Sequence, residues 1–441
     1  MTATDTAPRA TADPPPLGRN RDFRLLWIGQ ALSDFGSAMS SVVLPLVLLA
    51  AGYSTTVAAT VGTVSLATGL VVRLPAGYLS DRYDQRALML GSDLVRLVAV
   101  GAVALCVFLR PLPIALALAA VIVSVVSVEV FQPSQNKVIR RIVPVGQLGA
   151  AVSLNQARAY GAGIAAPAAA GLLLTFEPAV PFAVDALTFG VSALCVAVAV
   201  RPARGGRPAD RATAGPAKDA ADDVRTDGEG FLTRFTAGWR FLVRDRFLRC
   251  SALYSIGLNL VFSALGFALI LGAGSRPDGA VAVGAAMSAA AAVGLVGSLL
   301  TPYVQRHLSV KAALCAGPAI GAVLLAVAWT SGSTIVFVAG FCALCLLTPV
   351  ISAMFSTIMA VAVPQEIYGR VTTTTSLVAQ IMQPCGPLAA GLLLASLSLP
   401  TTAAAFAVAL ALLAGVALLL PRTSQPGTSR PSTPEPARSP S

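Results

Sequence analysis

Gly77-Tyr78-Leu79-Ser80-Asp81-Arg82-Tyr83-Asp84-Gln85-Arg86 links two apolar runs, about 55–79 and 87–109. A membrane-crossing helix needs roughly 20 mostly apolar residues, and each run is long enough. A short charged link between two such runs reads as a tight polar turn at a membrane surface. A glycine at 77 lets a neighbouring helix approach closely. Asp81 at a helix end can accept bonds from the unsatisfied N–H groups of a facing helix N-terminus. Arg82 and Arg86 can bridge to other helices. Such a cluster can latch one end of a bundle and release when its parts rock.

Outward from that link, the same pattern repeats. Twelve apolar runs occur, at about 24–50, 55–79, 87–109, 112–134, 148–174, 179–200, 250–272, 279–303, 309–329, 333–362, 370–396 and 400–420. Proline and glycine fall inside several, which membrane helices tolerate because neighbouring helices re-satisfy the backbone. Hydrophobic residues make up 56% of the 441 and charged residues only 12%. A soluble domain carries about 25% charged residues, so a bilayer is the natural solvent for this chain. The net charge of +11 would suggest a nucleic-acid partner in a soluble protein. Here the basic residues sit in links between apolar runs, so membrane topology explains them and no nucleic-acid partner is expected. With the N-terminus inside, 26 Lys and Arg fall on the inner side and 2 on the outer. The short loops alone give 8 against 2. The positive-inside rule therefore predicts a multi-pass protein of the inner (cytoplasmic) cell membrane with both termini cytoplasmic. The first 22 residues are polar and Pro-rich and lack a signal-peptide core.

The longest link divides the runs six and six. The expected organisation is a disordered cytoplasmic N-terminus over 1–22, a six-helix half over 23–200 and a cytoplasmic linker over 201–228. An amphipathic interfacial helix over 229–248, a second six-helix half over 249–420 and a disordered tail over 421–441 follow. In the interfacial segment Phe231, Leu232, Phe235, Trp239, Leu242 and Phe247 recur at helical spacing between arginines. The halves also repeat in sequence. A shift of 220 superposes Pro144 on Pro364, Gly149 on Gly369, Pro167 on Pro387 and Gly171 on Gly391. Tandem six-helix halves are a carrier architecture, with the cargo site between halves near the midplane.

The 77–86 link resembles the loop 2–3 motif of the major facilitator superfamily, G-x-L-A-D-R-x-G-R-R. Gly77, Leu79, Asp81, Arg82 and Arg86 match, while Asp84 stands for the usual glycine and Gln85 for an arginine. The resemblance covers nearly all of 20–420 and is nearest to the macrolide-efflux and enterobactin-export branch. That closer likeness rests on Phe23-Arg24-Leu25-Leu26-Trp27 with Gln30 and Ser33, on Asp93 and Arg96, and on Val143-Pro144 with Leu154-Asn155. Asp185-Ala186-Leu187-Thr188-Phe189 and Gly238-Trp239-Arg240-Phe241-Leu242 add to it. It implies an all-α membrane fold of twelve transmembrane helices in two pseudo-symmetric six-helix halves. Ala166-Pro167-Ala168-Ala169-Ala170-Gly171 is similar to the G-P-x-x-G-G motif of antiporters in this superfamily, although a packing face of small residues explains much of it.

Charges inside the membrane are expensive and point to function. The acids are Asp34, Asp93, Glu129 and Asp185, and the bases Arg73, Arg96 and Arg158. Asp34 and Arg158 each lie about ten residues in from the cytoplasm, roughly 15 Å deep at 1.5 Å per residue. With Asn155 they form the central candidate site for proton and cargo. Glu129 sits at a height that suits either the gate of Gly77, Asp81, Arg82 and Arg86 or proton carriage. Asp93 and Arg96, three apart on one helix, are expected to pair with each other. Asp185 is expected on a peripheral helix, in a structural role.

No Gly-Lys pair exists, so a phosphate-binding loop is excluded, and the lone His307 excludes histidine-based metal clusters. Cys342 and Cys345 read as buried thiols of one span. No cofactor and no enzymatic activity are expected. The sequence reads as a proton-coupled antiporter exporting a small amphipathic compound (a drug, antibiotic or siderophore-like metabolite), working as a monomer with protons, a small molecule and the lipid bilayer as partners. Two alternatives stay open. One is a proton-coupled uptake symporter, for which the few amides Asn155, Asn259, Gln380 and Gln383 argue poorly. The other is a membrane receptor or enzyme that transports nothing.

Overall fold

A computed structural model describes residues 16–110, 112–200, 239–274, 276, 279–363 and 365–419. The first half contains α1 (Arg21–Ala50), α2 (Thr55–Arg82), α3 (Gln85–Leu109), α4 (Ile114–Ile142), α5 (Leu148–Leu173) and α6 (Val180–Ala199). The second contains α7 (Arg246–Gly274), α8 (Gly279–His307), α9 (Val310–Ser331) and α10 (Thr334–Ala362). It continues with α11 (Gln365–Gln380), α12 (Cys385–Ser396) and α13 (Leu399–Leu419). Among the described residues, eleven segments are long and apolar enough to cross a membrane, the stretch over α11 and α12 forming one of them. The twelfth span is α5, whose 26 residues suffice in length. Asn155, Gln156 and Arg158 lower its hydropathy, and all three face the interior cavity described below.

Short polar residues start the helices where the sequence turns. Asn20 accepts from Phe23 N, Ser54 from Val57 N and Ser309 from Ala312 N. Asp84 accepts from Ala87 N at 2.9 Å and so caps α3, which gives the residue replacing the motif's glycine a local job. Asp245 does the same for α7 through Leu248 N at 2.7 Å.

Two boundaries differ from the sequence reading. Residues 17–22, expected to be disordered, form a 3-10 turn at Leu17–Arg19 and the first turn of α1. The cause is Leu17, which buries against Phe23, Ile139, Val143 and Ala151. Residues 1–15, the linker 201–228 and the tail 421–441 lie outside the described residues, as does most of the expected interfacial helix. Its described end, 239–244, is helical, and Leu242 buries with Leu248, Met359 and Val371. The eleventh run is not one helix. Pro384 lacks an N–H and breaks it at 381–384. At the break the carbonyl of Gln380 accepts from Gln383 N at 3.0 Å instead, and the carbonyl of Gln383 accepts from Gly386 N at 3.1 Å and from Ser263 Oγ of α7 at 2.9 Å. The matching helix α5 carries only Pro167 and stays continuous.

Within the first half α1 packs on α5 and α6, α3 on α4 and α6, and α2 on α4. In the second half α9 packs on α10 and α13, and α8 on α10. The halves meet through α1 and α7, α2 and α12, and α5 and α8. These seams lie at the end away from the 77–86 loop. Val42 and Leu46 of α1 enter the core of the second half, and Leu271 of α7 enters the core of the first. Large apolar side chains such as Val98, Leu105 and Phe108 on α3 point outward, as a lipid-facing surface requires.

Candidate functional site

The central pair forms where α1 crosses α5. Arg158 Nε lies 2.9 Å from Asp34 Oδ2, and Gln30, one turn earlier on α1, donates to Asp34 Oδ1 at 3.0 Å. The Arg158 side chain is 6% exposed and that of Asp34 is 23% exposed. The guanidinium is therefore packed into protein, while the carboxylate meets a cavity of about 530 Å³. Arg158 Nη1 and Asn155 Oδ1 are buried without hydrogen-bond partners, so this wall holds both a free donor and a free acceptor. Groups of that kind are what a polar cargo atom would satisfy.

Glu129 is not at the 77–86 cluster. It pairs with Arg73 of α2 at 3.4 Å, and Arg73 Nη1 donates to Gln380 Oε1 of the second half at 3.3 Å. Asp81 pairs instead with Lys137, two turns further along α4, and Lys137 also donates to Ser80. Arg82 donates to the hydroxyl of Tyr78 at 2.8 Å. Arg86 donates to the carbonyl of Ala197 at 3.1 Å, near the C-terminus of α6, where the helix dipole favours a cation. A Cβ added at Gly77 would meet nothing within 4 Å, so no neighbouring helix makes the close approach expected there in this conformation. Among the described residues, the bonds of this cluster all stay within the first half. In this conformation the cluster ties α2 to α4 and α3 to α6, and among the described residues it makes no bond to the second half.

The other end is shut. Gly171 and Pro167 sit where α5 crosses α8. A Cβ added at Gly171 would lie 2.6 Å from the carbonyl oxygen of Ala280, and one at Gly284 would strike the carbonyl oxygen of Pro167. Only glycine allows that approach. Ala168 N donates to Ser288 Oγ at 3.0 Å, and Thr55 Oγ1 donates to the carbonyl of Gly391 at 3.1 Å, both across the halves.

A second cavity adjoins the first, and a third adjoins the second. The second, of about 620 Å³, lies between the halves, lined by Tyr160, Phe262, Met287, Phe341 and Cys345 among others. The third, about 380 Å³, lies in the second half and is rich in hydroxyls and amides, including Ser255, Asn259, Thr348, Thr372 and Gln383. Interior polarity is thus greater than the sequence reading allowed. Gln30, Gln132, Gln135, Asn136 and Gln156 line the first cavity beside Asn155. The signal for three of them was available: Gln132, Gln135 and Asn136 continue from Glu129 at helical spacing.

Asp93 and Arg96 do not pair with each other. No ion pair within 4 Å joins them among the described residues. Asp93 Oδ2 accepts from Ser192 on α6 at 2.7 Å. Arg96 reaches the other way, to Ser33 and Ser37 on α1, with its guanidinium 3.8 Å from the ring centre of Phe189. The reason is that α3 packs between neighbours, so residues three apart diverge to different partners. Asp185, expected on the periphery, is buried against α1, where Ser40 donates to its Oδ2 at 2.6 Å.

Comparison with known proteins places this geometry. The model of the Major Facilitator Superfamily matches residues 26–384. Macrolide efflux protein A of Streptococcus pyogenes is 26% identical over 186 residues, which is 42% of this chain and 46% of that protein. The chain thus matches less than half the length of that curated relative. Among solved structures, the nucleoside transporter NupG superposes with a TM-score of 0.69 at 11% identity, over 90% of this chain and 98% of that one. A bacterial homologue of the iron transporter ferroportin in an inward-facing state gives 0.61 at 14%, over 91% and 98%. A bacterial homologue of the lysosomal transporter Spinster, inward-facing and unoccupied, gives 0.61 at 15%, over 91% and 95%. At these identities the structures speak for the fold alone.

Proposed function

The chain is a multi-pass membrane transporter that belongs to the Major Facilitator Superfamily, and we propose that it is a proton-coupled antiporter exporting a small amphipathic compound from the cell. It works by alternating access and does no chemistry on its cargo. With the positive-inside orientation, the 77–86 loop is cytoplasmic and the conformation described above is the inward-open one. The observation that carries the reading is the Asp34–Arg158 pair on the wall of a cavity that continues into an apolar chamber between the halves. A carboxylate beside a guanidinium can exchange its partner for a cargo group or a proton. The apolar chamber accepts the lipophilic part of the same molecule. The partial similarity to a macrolide efflux protein supports export and makes a macrolide a natural first probe.

The test is accumulation of a macrolide and of a fluorescent lipophilic dye in cells expressing the chain, with and without a protonophore. Expression should lower accumulation, and the protonophore should restore it. Accumulation that stays low after the proton gradient is dissipated refutes antiport. The amides around Asp34 favour a second reading, uptake of a polar nutrient with protons. In that case expression raises accumulation of the nutrient and leaves the dye unchanged.

A further inference from the structure

The interior of the first half holds three carboxylates, Asp34, Asp93 and Asp185, and two guanidiniums, Arg96 and Arg158. Asp34 and Arg158 form an ion pair that balances the two charges. That leaves Arg96 between Asp93 on its own helix and Asp185 on α6, all within electrostatic reach. The three are 2%, 0% and 1% exposed respectively. Each carboxyl accepts one hydroxyl bond, from Ser192 and Ser40. The second oxygen of each, Asp93 Oδ1 and Asp185 Oδ1, is buried with no hydrogen-bond partner, and so is Arg96 Nε.

An ionised carboxylate can only accept hydrogen bonds, and a bare one in a dry interior carries a heavy desolvation penalty. One guanidinium balances one carboxylate and leaves the second uncompensated. Among the described residues, no other charge packed against the cluster is free to help. From α1 comes Asp34, engaged with Arg158 of α5. From α6 comes Cys195, beside Asp93. On α4, which packs on α3, Glu129 turns to Arg73 and Lys137 to Asp81. We therefore propose that the Asp93–Arg96–Asp185 cluster between α1, α3 and α6 binds one proton in this conformation, at a site separate from the Asp34–Arg158 pair. Arg96 connects it to the cavity, because it lines that cavity together with Asp34 and Ser37. Ser33, Ser37 and Ser40 supply contacts to the cluster from one face of α1. A tilt of α1 changes all of them together, which would let the proton leave as the helix moves. The site does not depend on the direction of transport or on the cargo.

Infrared spectroscopy of the full chain in lipid nanodiscs tests this, with ¹³C-carboxyl aspartate to identify the bands. At neutral pH the wild type should show the C=O stretch of a buried protonated aspartic acid. The band should persist in Asp34→Asn and vanish in both Asp93→Asn and Asp185→Asn, since either substitution leaves one carboxylate to one guanidinium. Absence of the band in the wild type overturns the proposal, as does its survival in either cluster variant. Melting midpoints provide a second reading. Each single Asn variant should melt near the wild type, whereas Asp93→Asn with Asp185→Asn strands Arg96 and should melt lower. Adding Arg96→Gln should recover the loss. A double variant as stable as the wild type overturns the charge balance. If no variant can be recovered, the wild-type spectrum alone decides.

Discussion

Replacing Gly171 with alanine should tip the protein away from the conformation described here. The added Cβ would stand 2.6 Å from the carbonyl oxygen of Ala280 and 3.0 Å from Cα of Val281. Carbon–oxygen contacts between helices settle at about 3.3 Å or more, so the α5–α8 crossing must open by roughly 0.7 Å. Both obstacles are backbone, which cannot rotate aside as a side chain can. Overpacking of this kind costs about 1–3 kcal/mol. The cost falls only on the conformation in which the seam is closed, so the population ratio should shift about 5- to 150-fold toward the state in which it is open. Spin labels at the exposed positions Phe176 and Ile335, in a background with the cysteines replaced, would report the separation of the two halves at that end. Gly171→Ala should add or enlarge a long-distance component. Gly284 abuts the same crossing, since a Cβ there would strike Pro167 and come within 3.2 Å of Gly171 Cα. Gly284→Ala should therefore act in the same direction, and the double variant should fall short of the sum because the first substitution has already spread the helices. An unchanged distance distribution in Gly171→Ala would refute the claim that this seam holds the closed end.

Asp81→Asn should leave the melting midpoint almost unchanged, because the Asp81 side chain is 72% exposed and such surface pairs contribute about 0–1 kcal/mol. It should slow transport all the same, and wild-type rates in proteoliposomes would remove the loop cluster from the mechanism. Asp34→Asn strands the Arg158 cation. Its melting loss should be smaller than the ~3–5 kcal/mol of a fully buried broken pair, because Asp34 meets the cavity. In the wild type, lowering the outside pH should speed export, and in Asp34→Asn the rate should be flat with pH; superimposable curves would sink the role of Asp34. Glu129→Gln should preserve folding and weaken the reach of Arg73 toward Gln380, read as a faster separation of the halves at the cavity side by single-molecule fluorescence.

Much of the fold was legible because a bilayer imposes a strict length and hydropathy rule on each span. The start of α2 at Thr55 and that of α5 at Leu148 fall where the apolar runs begin. The failures have local causes. α4 continues to Ile142, eight residues past its apolar run, because Lys137 and Gln135 find partners or burial inside the bundle. The break at 381–384 needed the joint reading of Pro384 and the Ser263 hydroxyl on another helix. Among the site residues, Asp34 and Arg158 stood out since two opposite charges at one depth have few alternatives. Glu129 was placed by height alone, and height does not say which neighbour a side chain faces; Arg73 was nearer than Asp81. The Asp93–Arg96 spacing suggested a pair, but tertiary packing drew each side chain to a serine on a different helix.

The two ends of the bundle use different physics, and that difference suits a protein that must occupy two states. At the closed end, backbone approaches backbone at Gly171, Gly284 and Gly391, and among the described residues the bonds across the seam are the two neutral ones from Thr55 and Ala168. Dispersion contacts of this kind are individually weak and lose a quarter to a half of their strength over a gap of about 0.5–1 Å, so the seam holds firmly when shut and weakens steeply as it opens. At the cavity side, Arg73 holds Glu129 with one edge and Gln380 with the other, the described side-chain bond there that joins the halves. A long guanidinium can follow a moving partner, and a hydrogen bond to a charged group contributes about 1.5–3 kcal/mol at most, less where water competes. A carrier needs its two conformations balanced to within a few kcal/mol. A small-residue seam on one side and a solvated arginine strut on the other keep either term from dominating. Lengthening the strut's grip or loosening the seam would therefore trap the same molecule in opposite states.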